Sequence, residues 1–267
     1  MKKQSRKTKF HPLRLILTIL VLLGLSLLAS RYVEHFRKPA TPSEAMTEIA
    51  SEAIAASASE NPFGAGVSEG GFFAPESIPP YAGEPAIPIH NNIPFFTEEE
   101  RTTASFEEYG PLDALGRCTA CTACIGIDLL PTTERESISD VFPTGWQYAK
   151  YDFIEKEYLY NRCHLIAYSL TAENANERNL ITGTRYMNIE GMQPFEWETV
   201  SYIYRTENHV LYRVTPVFFG NDLVASGVLM EARSVEDEDL QFCVYCYNVQ
   251  PGVVIDYATG ASCAEQS

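Results

Sequence analysis

One arginine, one histidine, two asparagines and one glutamate follow each other within a short stretch of the chain. They are Arg162, His164, Asn179, Asn188 and Glu196. An imidazole can accept a proton near neutral pH, and amide and carboxylate oxygens suit a hydrated, sparsely liganded divalent cation. One general base beside one such cation is what metal-assisted cleavage of a phosphodiester requires. The set therefore indicates phosphodiester hydrolysis as the candidate chemistry.

The histidine lies in a segment that the pattern predicts to be a strand, Tyr158–Ile166. Alternate residues of a strand share a face, so Arg162 and His164 should point one way and Cys163 the other. We interpret His164 as the general base and Arg162 as a neighbour of the scissile phosphate. A hydrogen-bonded structural histidine is the alternative. Cys163 should pack inward, which argues against a thiol catalyst formed by Cys163 and His164.

The two downstream oxygen donors lie in a segment predicted to be helical, Thr184–Thr206, with a break or kink near Pro194. Eight residues are a little over two helical turns, so Asn188 and Glu196 could line one side. An asparagine oxygen is a hard ligand for Mg²⁺, which keeps most of its waters, and Glu196 could orient one of these. The alternative is that the asparagines cap helices and turns.

The elements that must position these residues are read as a mixture of strands and helices. Prolines alternate with apolar residues from Ile78 onward, which is typical of edge strands and turns. A turn at 220–222 should join two strands as a hairpin. The predicted strands after the helix are His209–Phe219, Leu223–Arg233, Phe242–Val249 and Val253–Tyr257.

The chain divides by composition into four parts. Residues 1–14 are a basic segment expected in the cytoplasm, and 15–30 are an apolar run expected to be a signal anchor. A cleaved signal peptide is the alternative, since the run is shorter than the ~20 residues that span a bilayer comfortably. Residues 31–77 read as a flexible tether containing a possible short helix over 45–58. Residues 78–267 form the predicted extracellular domain.

Charge is distributed unevenly along the 267 residues. Of 20 Lys and Arg, nine lie in the first 38 positions, together with a single acidic residue, Glu34. Positions 39–267 therefore hold 11 basic and 34 acidic residues, a net charge of −23. Such a surface repels a phosphate backbone. If the substrate is a nucleic acid, its binding must rely on a metal and a few arginines, with a shallow salt dependence.

Seven cysteines are many for an exported chain, and an odd number leaves at least one without a partner inside the molecule. Two C-x-x-C pairs, at 118–121 and 243–246, formally supply four zinc ligands. The second pair lies in a strand-like run, where residues three apart face opposite sides. Disulfides, buried free thiols and a zinc site all stay open.

The sequence Asn161-Arg162-Cys163-His164 resembles the Asp-Arg-Gly-His signature of the DNA/RNA non-specific endonucleases, and RNLITGTRYMNIEGMQPFE (178–196) is similar to the segment that follows it. The likeness is closest to exported and membrane-attached nucleases of Gram-positive bacteria. It covers nearly the whole chain after Ile78. It implies an α+β fold of the ββα-metal (His-Me finger) type, with a central antiparallel sheet flanked by helices. Asn161 and Cys163 depart from the signature.

The resemblance also implies a role for each residue. His164 is the base that activates water, Asn188 is the sole protein ligand of Mg²⁺, with Mn²⁺ as a substitute, Asn179 is a supporting asparagine, and Glu196 lies near the metal waters. Three arginines are candidates for contact with the scissile phosphate: Arg117, Arg135 and Arg185.

The sequence therefore predicts an extracellular, membrane-tethered, sugar-non-specific endonuclease that hydrolyses DNA and RNA and leaves 5′-phosphate ends. A catalytically inactive surface-binding or structural module that retains the fold is the first alternative. A cysteine-based redox or zinc protein is the second. If His164 has an ordinary pKa near ~6.5, cleavage should fall below roughly that pH.

Overall fold

The computed structural model describes residues 66, 68, 71 and 73–266. The predicted segments 1–14 and 15–30, the possible helix over 45–58 and most of the predicted tether lie outside the described residues. Within the described part, no helix is both long and apolar enough to cross a membrane. Phe73 packs beside Phe95, with ring centroids 6.3 Å apart, so the packed chain extends a few residues upstream of Ile78.

Ten strands and two α-helices make up the regular structure of the described residues. The strands are β1 Ala86–Pro88, β2 Phe106–Tyr109, β3 Cys121–Ile125, β4 Tyr160–His164, β5 Leu180–Thr184, β6 Val210–Val217, β7 Gly227–Ser234, β8 Gln241–Tyr247, β9 Val253–Ile255 and β10 Ser262–Ala264. The α-helices are α1 Tyr168–Thr171 and α2 Gln193–Thr206, and a π-helical turn, Met187–Met192, precedes α2. Single 3₁₀ turns occur at Pro75–Ser77, His90–Asn92, Glu98–Glu100 and Ile127–Leu129.

Six strands form one antiparallel sheet in the order β1-β8-β7-β6-β3-β2. Side chains of β8 alternate between two buried clusters, as the twofold period of a strand requires. Phe242 and Cys246 belong to the larger cluster, which residues of β4, β5 and α2 complete. Cys243 and Tyr245 face the other way and pack with Ile89 from the N-terminal part of the domain. The sheet is therefore buried on both faces, and the α+β fold with a central antiparallel sheet is confirmed.

The predicted strands at β4, β6, β8 and β9 are present, and β1 forms an edge of the sheet as expected. The predicted hairpin also exists, because β6 and β7 pair from Val210↔Ser234 to Val217↔Gly227. The predicted start of β7 at Leu223 was wrong. The backbone N–H groups of Leu223 and Val224 both donate to the carbonyl of Tyr257, so these residues leave the hairpin and β7 begins at Gly227.

The predicted helix Thr184–Thr206 needs a correction at its start and at its interruption. Thr184 ends β5, and helical structure runs without a break from residue 185 to residue 206. The expected break near Pro194 is instead the π turn directly before it. A proline ring clashes with the carbonyl four residues earlier and offers no N–H, and the wider π turn accommodates both effects. Gly191 within this turn packs against β8, where an added Cβ would lie 3.3 Å from the Cβ of Cys246.

All seven cysteines are free thiols, and all except Cys263 are buried. Cys243 and Cys246 lie in different clusters on opposite faces of the sheet, as the strand pattern predicted, so the two C-x-x-C pairs do not converge. Cys163 is fully buried. Its sulfur occupies space beside Gly183 on β5, where an added Cβ would come within 2.4 Å of that sulfur.

Candidate active site

Four of the five predicted site residues line one open cleft with a volume of about 650 Å³. Arg162 and His164 come from β4, Asn188 comes from the π turn, and Glu196 comes from the first turn of α2. The β4–β5 hairpin and the helix after it therefore bring these groups together. Asn179, the fifth, lies outside this cleft. The remaining lining residues are Arg135, Ile138, Trp146, Gln147, Tyr148, Ala149, Tyr158, Tyr160, Asn161, Ala167, Tyr168, Ser169, Gln193 and Trp197.

The hydrogen bonds of His164 define which ring nitrogen can accept a proton. Nε2 lies 2.7 Å from the backbone carbonyl oxygen of Asn174. A carbonyl oxygen only accepts, so Nε2 carries the hydrogen and donates. Nδ1 lies 3.3 Å from Nη2 of Arg135, and a guanidinium only donates, so Nδ1 keeps its lone pair. The neutral imidazole is thus held as the tautomer whose basic nitrogen is Nδ1.

The surroundings of His164 keep it neutral. The side chain is 6% exposed, and burial lowers the pKa of the imidazole to about 4, with a smaller contribution in the same direction from the positive charge of Arg135. The hydrogen bond to the carbonyl of Asn174 opposes this shift. His164 is therefore a neutral base at every pH above about 5.

Asn179 lies in the interior, outside the cleft. It is fully buried, its Oδ1 accepts from the N–H of Ile166 at 2.9 Å, and its Nδ2 donates to the carbonyl of Ile166 at 2.9 Å. Its own carbonyl accepts from the N–H of Leu165 at 2.8 Å. These three bonds hold the two residues that follow His164. The contacts favour a role for Asn179 in positioning the histidine strand over contact with substrate.

The π turn decides how Asn188 and Glu196 are arranged. In a regular α-helix of about 3.6 residues per turn, positions eight apart point about 80° away from each other. The N–H of Gln193 bonds to the carbonyl of Asn188, five residues earlier, so the turn takes up one extra residue. From Asn188 to Glu196 the chain therefore completes close to two full turns, and both side chains line the cleft.

The carboxyl group of Glu196 has an unusual ionisation. The side chain keeps some exposure towards the cleft, yet burial raises the pKa of Glu196 to about 8, against a smaller lowering by the positive charge of Arg135. No ion pair of Glu196 is present among the described residues. With no cation bound, this carboxyl therefore holds its proton more strongly than an ordinary glutamate does.

Arg162 is tied to the loop before β4. Its Nη2 donates to the carbonyl of Ser139 at 2.7 Å, its Nε donates to the carbonyl of Val141, and its guanidinium lies 4.1 Å from the ring centroid of Trp146. These contacts favour a role in holding the wall of the cleft. The interpretation of Arg162 as a direct neighbour of the scissile phosphate stays a prediction.

Only one of the three arginines considered for phosphate contact lines the cleft. Arg117 is bound to Asp113 at 2.7 Å and to two backbone carbonyls of the 218–226 loop, and Arg185 is bound to Glu155 at 2.7 Å. Arg135 lies beside His164. The sequence offered no means of choosing between them, because Arg135 lies in an irregular segment 29 residues before His164.

Both cations that line the cleft lack a carboxylate partner among the described residues. Six of the 11 Lys and Arg in the described part of the chain form ion pairs: Arg101, Arg117, Lys150, Arg185, Arg213 and Arg233. No described carboxylate lies within ion-pair distance of Arg135 or Arg162. Arg135 and Arg162 therefore bring positive charge into the cleft, although residues 39–267 carry a net charge of −23.

The donor set of the cleft fits a hard, hydrated cation. Asn188 and Glu196 offer oxygen atoms, and no thiol lines the cleft. Among the described residues no three His, Cys, Asp or Glu side chains form a group that could hold a metal, so a dedicated protein cage of these ligands is not present there. Mg²⁺ suits this arrangement, because it commonly retains several waters and binds through one or two protein oxygens.

A sequence model described as DNA/RNA non-specific endonuclease matches residues 98–236, just over half of the chain. The matched segment contains every residue of the candidate site. The chain belongs to the DNA/RNA non-specific endonuclease family. The resemblance inferred from the signature around His164 is confirmed, and the protein is a nuclease that acts on nucleic acid.

Solved structures show the same fold as this nuclease. NucA from Streptococcus agalactiae with magnesium bound is 24% identical, covers 67% of this chain and 86% of its own, and superimposes with a TM-score of 0.60. The same NucA without metal is 24% identical, covers 72% and 92%, and has a TM-score of 0.62. The Sda1 nuclease with bound zinc is 28% identical, covers 60% and 81%, and has a TM-score of 0.52.

Proposed function

We propose that this nuclease is a sugar-non-specific endonuclease that uses His164 as general base and Mg²⁺ bound through Asn188, and leaves 5′-phosphate ends. The single observation that carries the proposal is the state of His164. Its Nδ1 is the basic nitrogen, because Nε2–H donates to the carbonyl of Asn174, and it lies in the same cleft as Asn188 and Glu196. An imidazole fixed in this way is ready to take a proton from water.

Four residues of the cleft have roles in this reaction. Nδ1 of His164 removes the proton from a water that attacks phosphorus in line, and Nε2 remains bonded to the carbonyl of Asn174, which stabilises the imidazolium that forms. Arg135 contributes positive charge next to the base. Asn188 and Glu196 would hold the cation and its waters. When bound, Mg²⁺ would supply Lewis-acid stabilisation of the phosphate and of the leaving 3′ oxygen.

Cleavage without base or sugar selectivity follows from the chemistry of the cleft. The groups assigned to catalysis meet only the phosphodiester, which is common to DNA and RNA. The proposed location is outside the cell, with residues 15–30 as an anchor in the cell membrane or as a cleaved signal. The NucA structure with magnesium supports the choice of cation.

A catalytically inactive binding module is the second candidate. The observation that favours it is the pair of departures from the family signature, Asn161 and Cys163. The structure shows that Cys163 fits without disturbing the strand, because the paired strand has Gly183 where its sulfur packs. Asn161 lines the cleft, so the effect of the missing acidic group falls within the site itself.

Digestion of plasmid DNA and of RNA by the purified full-length protein in detergent separates the two candidates. We expect cleavage with Mg²⁺ or Mn²⁺, no cleavage with EDTA, and products that accept a 5′ label only after phosphatase treatment. Zn²⁺ should support cleavage poorly, because the donors are oxygens; it is a necessary arm because Sda1 was solved with zinc. Binding of nucleic acid without cleavage under any of these cations would establish the inactive module.

A further inference from the structure

Aromatic side chains are concentrated in the candidate active-site cleft. Six of its lining residues are aromatic: Trp146, Tyr148, Tyr158, Tyr160, Tyr168 and Trp197. Three of them are also among the large apolar side chains that are most exposed in the described residues. Tyr148 is 72% exposed, Trp197 is 61% exposed and Tyr158 is 48% exposed. Single exposed apolar residues need no explanation, but several in one functional cleft indicate a binding surface.

The exposed rings come from different elements. Tyr148 lies in the loop before β4 and packs edge-to-face with Trp146, with ring centroids 5.9 Å apart at 88°. Tyr158 lies two residues before β4, and Trp197 lies next to Glu196 on α2. A cation lies over one face of two of these rings: the Arg162 guanidinium over Trp146 at 4.1 Å and Nζ of Lys150 over Tyr158 at 4.3 Å. By exposed fraction, Tyr148, Trp197 and Tyr158 provide the most accessible aromatic surface in the cleft.

The charge of the cleft limits how nucleic acid can be held there. Arg135 and Arg162 are the Lys and Arg side chains that line it, and most of the remaining cations of the described residues are neutralised by carboxylates. A duplex has a denser phosphate charge than a single strand and gains more from neutralisation. A protein with few free cations therefore loses more affinity for a duplex than for a single strand.

We propose that Trp197, Tyr148 and Tyr158 form a base-stacking surface that makes unpaired nucleic acid, DNA or RNA, the preferred substrate. The proposal rests on the proposed function. A flat ring stacks on a base only where the face of that base is open, and every base has such a face whatever its sequence or sugar. In a duplex the faces are covered, and opening a base step costs a few kcal/mol. Stacking on the bases thus provides binding affinity that the few phosphate contacts of this acidic protein do not provide.

The kinetic test compares two variants of the same helix. Trp197→Ala removes a 61% exposed ring inside the cleft, and Tyr204→Ala removes a 61% exposed ring on α2 that does not line it. Substrates are a single-stranded oligonucleotide, its duplex, and the same strand with tetrahydrofuran abasic positions around the cleaved phosphodiester. We expect the wild type to prefer the single strand. Trp197→Ala should raise KM for it by about 5- to 100-fold with kcat unchanged, and leave the abasic strand unaffected.

A second readout does not depend on cleavage. The chain has two tryptophans, Trp146 and Trp197, and both line the cleft, so intrinsic fluorescence reports on this region. In EDTA, an oligonucleotide with bases should quench this fluorescence and the abasic strand should not. Tyr204→Ala should behave as wild type in both assays, and thermal melting should show that both variants are folded.

The outcomes distinguish the stacking surface from the proposed function. Equal kcat/KM of the wild type for single strand and duplex, or an unchanged KM of folded Trp197→Ala, overturns the stacking surface and leaves the endonuclease intact. If no substrate is cleaved but bases quench the fluorescence, the proposed catalysis fails and the stacking surface stands. Equal quenching by the strand with bases and the abasic strand also overturns it.

Discussion

The six-stranded sheet and the β4–β5 hairpin with its following helix use buried polar groups in opposite ways. In the sheet, Glu231 is 1% exposed and receives two bonds from Arg213, at 2.8 and 3.1 Å, and one from the N–H of Phe95 at 2.7 Å. Near the hairpin, His164 lies beside a cation and Glu196 has no ion pair among the described residues. The buried charge in the sheet is fully paired, whereas the ionisable groups near the hairpin are not.

The difference separates the residues that stabilise the molecule from the residues that react. A buried charge with a full set of partners contributes to a unique fold, whereas an incompletely compensated group has a shifted pKa and is available for chemistry. Substitutions in the hairpin should therefore change rates more than stability, and substitutions in the sheet should do the reverse.

The largest effect on rate is expected at His164. His164→Ala removes the proposed general base and should lower the initial rate of plasmid cleavage by about 10²–10⁴-fold, while the thermal unfolding temperature stays near that of the wild type. His209→Ala is the matched control, because His209 pairs with Glu236 at 2.6 Å outside the cleft. A folded His164→Ala protein that cleaves at the wild-type rate would exclude this residue as the base.

The next largest effect is expected at Asn188. Asn188→Ala should lower cleavage at millimolar Mg²⁺ by about 10²-fold or more, since a sole protein ligand is lost and metal binding supplies several kcal/mol of transition-state stabilisation. Asn188→Asp keeps an oxygen donor and should recover part of the rate. Rates are measured as a function of Mg²⁺ concentration. Full activity of the alanine variant would show that the cation is held elsewhere.

A smaller effect concerns pH. Because burial, and secondarily Arg135, lower the pKa of His164 to about 4, the base is neutral at higher pH, and kcat/KM should fall only as pH drops towards about 4. This places the acid limb below the value of ~6.5 expected for an unperturbed histidine. Arg135→Gln removes a charge that disfavours the imidazolium, so the pKa should rise and the limb should move to higher pH.

The pH profile is recorded from about pH 3.5 to about pH 9 under subsaturating substrate, so that it reports on the free enzyme. An acid limb near ~6.5 in the wild type would mean that the imidazole is more hydrated than its contacts indicate. Activity that increases towards the acid end would contradict a histidine base altogether.

The smallest effect on rate is expected in the sheet. Glu231→Ala leaves Arg213 with Glu100, at 2.9 Å, as its one ion-pair partner among the described residues, and leaves the N–H of Phe95 without its bond to Glu231. The free energy of unfolding should fall by about 3 kcal/mol, measured by denaturant titration, and kcat at a temperature where the variant is folded should not change. Glu231→Gln is the milder companion. A loss of kcat without a loss of stability would show that the comparison between the two regions is wrong.

Much of the sheet could be predicted because its information is local. The alternation in β8 and the apolar runs of β6 indicate strands without knowledge of their partners. The start of β7 could not be found in this way, since Leu223 and Val224 bond to Tyr257, more than thirty residues along the chain. The competition between two distant partners is not visible in a local pattern.

The candidate site shows the same division. The positions of His164, Asn188 and Glu196 followed from the resemblance, and the cleft brings them together. The tautomer of His164 could not be predicted, because it depends on the carbonyl of Asn174, and backbone carbonyls have no sequence signature. Arg135 was one of three equal candidates, and only its position beside His164 distinguishes it.

The π turn also constrains how the length of this chain can change. In a regular α-helix, each added or removed residue rotates the side chains beyond it by about 100° around the helix axis. A single deletion between Asn188 and Glu196 would replace the π turn by regular α-helix, in which the remaining seven steps again make close to two turns, whereas a single insertion would rotate Glu196, or the whole of α2, away from its present direction. The 218–226 loop carries no such phase relation. Natural variation in length should therefore accumulate in loops of that kind, while the spacing between Asn188 and Glu196 stays at eight with the π turn or at seven without it.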